Sequence, residues 1–213
     1  TTINHNIGDD FIREGIEYLL SKLELDINYQ YIHKHTPITA RGGFEKWRNN
    51  HIAKHLDQIL PLWISNDKII EADFVIQSGA PVFWCHPGIK YAHCSENEWY
   101  KPLIERRLKK SKARFINIAA GSCQKWESNG GELHNCKKCS AYINELISKS
   151  AYTTLRDETA NKMLASLDLK APVIPCTSIF VSDALQIPPH EPDFIALNFM
   201  KGGGHYSFGQ QID

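Results

Sequence analysis

Apolar strand-like runs that stop at small residues, each followed by an amphipathic helical stretch, constrain this chain more than any other feature of its sequence. Lys68-Ile69-Ile70-Glu71-Ala72-Asp73-Phe74-Val75-Ile76 runs into Gln77-Ser78-Gly79-Ala80-Pro81. Ala113 to Ala119 repeats the pattern and ends at Gly121-Ser122. The rhythm continues as a helix over 140–149, a strand over 151–155, and a helix over 158–167 with Ala160, Met163, Leu164 and Leu167 inward. A strand over 172–175 and a short helix from Ser182 complete it. Strands separated by helices predict an α/β fold with a doubly wound, mainly parallel sheet, and place ligand chemistry at the carboxyl ends of the strands.

The first helix of this series follows Asn6-Ile7-Gly8-Asp9-Asp10. Ile12, Ile16, Leu19, Leu20 and Leu23 recur at helical spacing and mark a core face, with Arg13, Glu14, Glu17 and Lys22 opposite. Gly8 suits a tight entry turn, and Asp9 or Asp10 can accept hydrogen bonds from first-turn amides. Such a terminus is either a plain cap or a seat for an anion. Further along, Ile27-Asn28-Tyr29-Gln30-Tyr31-Ile32 has the composition of a strand. Helices are expected to start near Asp9, Glu45, Glu98, Ser140 and Glu158, and the second of them buries Ile52, Leu56, Ile59, Leu60 and Trp63.

The 213 residues carry 24 Lys plus Arg against 24 Asp plus Glu, so no global field steers the chain toward nucleic acid. The basic run Arg106 to Lys112 reads as a solvated helix end. No apolar run reaches the roughly 20 residues of a membrane span, and the first residues lack a secretory pattern. The expected location is the cytoplasm, or the membrane periphery on its cytoplasmic side.

Six cysteines are too sparse for a disulfide framework in a chain of this length, which favours thiols or a metal site. Cys136-Lys137-Lys138-Cys139 has the spacing that lets two thiolates reach one zinc, and Cys123 lies upstream. The expected metal set is therefore Cys123, Cys136 and Cys139, with His134, Cys94 or Cys85 as a fourth ligand; a redox pair or plain thiols are the alternatives. His86 and His93, after the Gly79 turn, are candidate acid or base groups. Arg156 either pairs with a neighbouring carboxylate or projects to a ligand. Lys201-Gly202-Gly203-Gly204-His205 lacks the spacing of a nucleotide-binding loop.

The order of Asn6-Ile7-Gly8-Asp9, Asp73-Phe74-Val75-Ile76-Gln77-Ser78-Gly79, Leu155-Arg156-Asp157-Glu158 and Pro172-Val173-Ile174-Pro175-Cys176 resembles the polysaccharide pyruvyl transferase family. Ile195-Ala196-Leu197-Asn198, after the proline-rich stretch, is similar to that family's crossing into its second half. The resemblance implies an amino-terminal lobe like that of a B-type glycosyltransferase over residues 1–187. It implies a linker over 188–192 and the start of a truncated second lobe over 193–213. It further implies transfer of an enolpyruvyl group from phosphoenolpyruvate to a polysaccharide or lipid-linked sugar as a ketal. Asn6, Gly8, Asp9, Gly79 and Arg156 would then bind substrate. The family's cationic groups for phosphoenolpyruvate sit mainly in the second lobe, so this chain alone is expected to be inactive. A non-catalytic ligand-binding or sensor module, or another B-type glycosyltransferase, is the alternative. The chain departs from the family pattern at Gln77-Ser78-Gly79-Ala80-Pro81, where many relatives have a glycine run, and at the insertion from Cys123 to Cys139.

Overall fold

The computed structural model describes residues 7–31, 72–87, 94–95, 105, 108–109, 111–125, 127–189 and 191. Its centre is a sheet of three parallel strands in the order β1 (Phe74–Ser78), β2 (Arg114–Ala120) and β3 (Ser150–Leu155). Phe74 stands opposite Arg114 and Ser78 opposite Ile118, so β1 and β2 pair without a slip. A single bridge from Leu155 to Val173 extends the order past β3, and this bridge is all that forms of the strand expected over 172–175. The sheet is parallel and carries helices, as the alternation of strands and helices implies.

Between β2 and β3 the chain makes α2 (Gly131–His134) and α3 (Lys137–Lys149). Cys139, Tyr142, Ile143 and Leu146 recur at three and four residues along α3 and are all buried. They share one core with Val75, Phe83, Trp84, Phe115, Leu133 and Leu155. After β3, Asp157 caps α4 (Glu158–Ala165) by accepting from Ala160 N at 2.7 Å, and Ala160, Met163 and Leu164 turn inward as their spacing requires. The helix expected at Ser140 begins at Lys137, because Cys136 takes the extended conformation of a cap three residues ahead of the first buried apolar position.

The first helix, α1 (Ile7–Ser21), starts two residues before Asp9. Gly8 is therefore inside the first turn instead of forming an entry turn, and it is not among the residues with positive φ. Ile12, Gly15 and Ile16 are buried against a 3-10 turn (Thr177–Phe180) and the short α5 (Val181–Ala184) that follows it. Thr177 Oγ1 donates to Ile12 O at 2.9 Å, and the rings of Tyr18 and Phe180 stack 6.2 Å apart. Leu19 and Leu23, expected in the core, are 38% and 57% exposed. Leu23 lies past Ser21, the last residue of the helix, and Leu19 stands on a side of the final turn that is left exposed.

Residues 27–31 form no strand. Tyr31 instead folds back on α1, donating to Glu17 Oε1 at 2.7 Å while Arg13 lies 5.3 Å over its ring. That arrangement uses the aromatic side chain that made the stretch look β-like. Asn6, His93, the helices expected from Glu45 and Glu98, and residues 193–213 with their glycine-rich run lie outside the described residues, apart from isolated positions at 105 and 108–109.

Truncation of Ile16 to Ala is expected to cost about 2–5 kcal/mol, whereas Leu23→Ala should stay within about 0.5 kcal/mol. Urea midpoints of the two variants measure this, and equal shifts would contradict the seating of α1 described above.

Candidate functional site

Parallel strands release their loops on one side, and here three loops meet there. Each loop continues the ladder of its neighbour. Gly79 N donates to Ile118 O at 3.0 Å, Gly121 N to Ala80 O at 3.0 Å, and Arg156 N to Ala120 O at 3.2 Å. Gly79 has φ +64°, which an L side chain adopts only with strain, and a methyl there would run into the Ile12 side chain of α1. A methyl on Gly121 would collide with Arg156 Nε and Asp157 Oδ2. Both glycines thus permit a close approach of backbone to neighbouring groups.

Arg156 crosses this junction. Its Nη1 donates to Gly79 O at 2.6 Å and its Nε lies 3.8 Å from Asp157 Oδ2. The other oxygen of Asp157 caps α4, and Oδ2 also accepts from Ser122 N at 3.1 Å. One carboxylate therefore holds the loop after β2 and the helix after β3 together. Ala119 sits beside this rim with φ +51°, in a stretch where the β2–β3 register shifts, and its N–H donates to Thr154 Oγ1 at 2.8 Å. A strained non-glycine residue at the end of a strand is a common accompaniment of binding sites.

Of the expected substrate residues, Gly79 and Arg156 are in direct contact. Gly8 and Asp9 occupy the first turn of α1, and Ile12 in the following turn touches Gly79. The cap that Asp157 offers at the end of its strand is legible in the sequence and is formed; Gly121 and Ser122 are not singled out there as rim residues, although their stop after a buried strand is a visible signal. Sequence reading also passed over a polar row beneath the rim. Gln77, Asn117 and Thr153 stand in register on adjacent strands, and the side-chain polar atoms of all three are buried without a hydrogen-bond partner among the described residues. Such groups cost about 1–3 kcal/mol each.

A second cluster lies in the core behind this rim. All six cysteines are described and none is in a disulfide. The sulfurs of Cys85, Cys136 and Cys139 lie within 4.8 Å of one another, close enough to share one metal ion. Tetrahedral zinc with bonds of about 2.3 Å would space its sulfurs by about 3.8 Å, so this set fits. Cys136 caps α3 and Cys139 is in its first turn, while Cys85 lies in the stretch that follows β1. Cys123 stands outside the group, contrary to the expected ligand set. Its neighbours take up the contacts with the β1 loop: Ser122 Oγ donates to Phe83 O, and Gln124 Oε1 accepts from Cys85 N at 3.0 Å. Cys123 itself packs in the core at 3% exposure. His134 is turned away as well, with Nδ1 2.7 Å from Ser166 O.

Burial, chiefly, pushes the Cys85 thiol from 9.0 up to about 12; a hydrogen bond with Cys139 pulls it down, and the nearby Cys136 and Cys94 push it up. Hydrogen bonding with Cys94 and then burial raise the Cys139 thiol. His86 follows the cluster, its ring 5.1 Å from that of Trp84, so it is part of the loop packing and stands away from the Gly79–Arg156 contact in sequence.

Comparisons with protein-family models, with curated proteins and with solved structures return no match. Among the described residues, no helix is long and apolar enough to cross a membrane.

Two outcomes are expected. Asp157→Ala should destabilise by about 2 kcal/mol through loss of the cap and of the Ser122 bond, with Asp157→Asn losing less; thermal unfolding of both variants measures it. In metal-free protein the folded state holds the Cys85 proton more tightly than the unfolded state. The stability this contributes is full below pH 9.0 and is lost as the pH rises toward about 12. Denaturant titrations across that window should show the decline.

Proposed function

We propose that this chain is the amino-terminal lobe of a polysaccharide pyruvyl transferase, a doubly wound α/β lobe like that of a B-type glycosyltransferase. In the proposed reaction a proton goes to the enol carbon of phosphoenolpyruvate. Two hydroxyl oxygens of one sugar bond to the carbon that carried phosphate, the carbon–oxygen bond to phosphate breaks, and phosphate leaves with the ketal as product; of the two hydroxyl protons released, one balances that gained by the enol carbon and the other leaves with phosphate. The observation that carries the reading is the meeting of Gly79, Gly121 and Arg156 at the carboxyl ends of adjacent parallel strands, the place where open α/β sheets take ligands. Asn6, Gly8, Asp9, Gly79 and Arg156 would seat the polysaccharide or lipid-linked sugar, and the second lobe of the same protein would bring phosphoenolpyruvate. This places the protein in the cytoplasm or at the membrane periphery, with no nucleic-acid partner. The expected structural zinc belongs to the same proposal, held by Cys85, Cys136 and Cys139.

One observation favours the alternative of a binding module without transfer chemistry: the Arg156 guanidinium is already engaged by Gly79 O and Asp157. Full-length protein supplied with phosphoenolpyruvate and lipid-linked sugars separates the two. Release of phosphate together with a new ketal methyl signal in proton NMR is the expected result. Arg156→Ala should lower the transfer rate by about tenfold or more while costing about 1 kcal/mol of stability. Binding of the sugar with no phosphate release would establish the module reading instead.

A further inference from the structure

We infer that Cys94 is the fourth ligand of a closed tetrathiolate zinc site with Cys85, Cys136 and Cys139, and that this site fastens the loop leaving β1 to the first turn of α3. The inference rests on the zinc reading of the three-thiol cluster given above and adds its coordination and its role. Cys94 is 5% exposed and belongs to the same core as Cys85 and Cys139. Its thiol lies near those of Cys139 and Cys85 but outside the set of three sulfurs that fall within 4.8 Å of one another, so binding of the ion would draw it in. The next residue fixes it there from both sides. Ser95 Oγ is 2.7 Å from Val82 O, three residues before Cys85, and 3.3 Å from Tyr142 Oη, three residues after Cys139. Ser95 is fully buried, so these contacts are not those of a loose surface turn.

Chemistry selects a single zinc ion. Four thiolates in tetrahedral arrangement suit zinc or an iron–sulfur cluster. A cluster interposes sulfide and several irons between its cysteines and spreads them apart, whereas the three sulfurs of Cys85, Cys136 and Cys139, within 4.8 Å of one another, match one central ion. Four protein ligands leave no position for water, so the site is structural and takes no part in transfer chemistry. Two charges in excess on the tetrathiolate are met by the amino terminus of the 13-residue α3, at which Cys136 and Cys139 sit, and by Lys137 and Lys138 between them. Without metal the same four groups are thiols crowded in the core. With metal they cross-link chain segments on either side of β2, holding Pro81–Cys85 beside the rim where Phe83 O meets Ser122.

The test uses the full chain purified without chelator. One zinc per chain is expected by elemental analysis, and X-ray absorption at the zinc edge should show four sulfurs at about 2.3 Å. Cobalt substituted into the wild type should give the intense visible bands of a four-sulfur site. Cys94→Ser should shift those bands to shorter wavelength and weaken metal retention by about tenfold or more, while Cys123→Ser behaves as wild type. Three sulfurs and one lighter atom at the zinc edge, or a Cys94→Ser spectrum equal to wild type, would overturn the assignment of Cys94 and leave the three-thiol zinc standing. Absence of any metal from the wild type, or iron in place of zinc, would remove the zinc reading itself. The absorption measurement on the wild type decides the point even where Cys94→Ser does not fold.

Discussion

A parallel ladder cannot turn back on itself, so every strand must deliver its loop to the same edge, and that crowding governs the rest of this structure. The loops after β1, β2 and β3 satisfy one another's backbone: each opens with an amide bonded to the end of a neighbouring strand or loop. Side chains then have little freedom. Asp157 must serve two amides at once, Arg156 must reach across to Gly79, and two positions must be glycine because other groups occupy the space of a Cβ. The rim is over-determined, which is what allows Ala119 to persist in a left-handed conformation within a strand.

β1 and β2 were legible because parallel strands read as apolar runs, whereas β3, Ser150–Leu155, is no such run and was placed by its position between two helical stretches. Where reading failed, the missing information was tertiary. The stretch 27–31 has residues that fit a pleated surface, but propensity says nothing about whether a pairing strand exists, and Tyr31 finds its partners on α1 instead. In α1, periodicity told which face is apolar and not where the helix ends or what covers it, so Ile12 and Ile16 were placed correctly, while Leu19 is exposed and Leu23 lies past the last helical residue, Ser21. The early start of α3 was hidden because its first turn holds Lys137 and Lys138, which carry no apolar signal.

The thiol cluster shows the same division between local and distant information. Cys136 and Cys139 are set by a helix's first turn, and two residues of spacing suffice to find them. The third member depends on strand order. Cys123 is nearer in sequence, yet β1 lies beside β2, so the loop from β1 arrives at the amino end of α3 carrying Cys85. The buried row of Gln77, Asn117 and Thr153 was hidden for a related reason: each polar residue looks unremarkable on its own strand, and only the register aligns them.

The hydrogen bond from Thr177 to Ile12 joins residues 165 positions apart, and it has a consequence for how the protein is made. The seat of α1 consists of the 3-10 turn at 177–180 and α5. At about 5–20 residues per second of synthesis, α1 leaves the ribosome roughly 10–30 s before that seat exists. Throughout that interval Ile16 lacks the turn it packs against and Ile12 has only its contact with Gly79, while a helix of 15 residues is marginal alone in water. α1 is thus synthesised well before the turn it docks on, and the vulnerable moment in biogenesis belongs to this helix, the time when a chaperone would have most to hold.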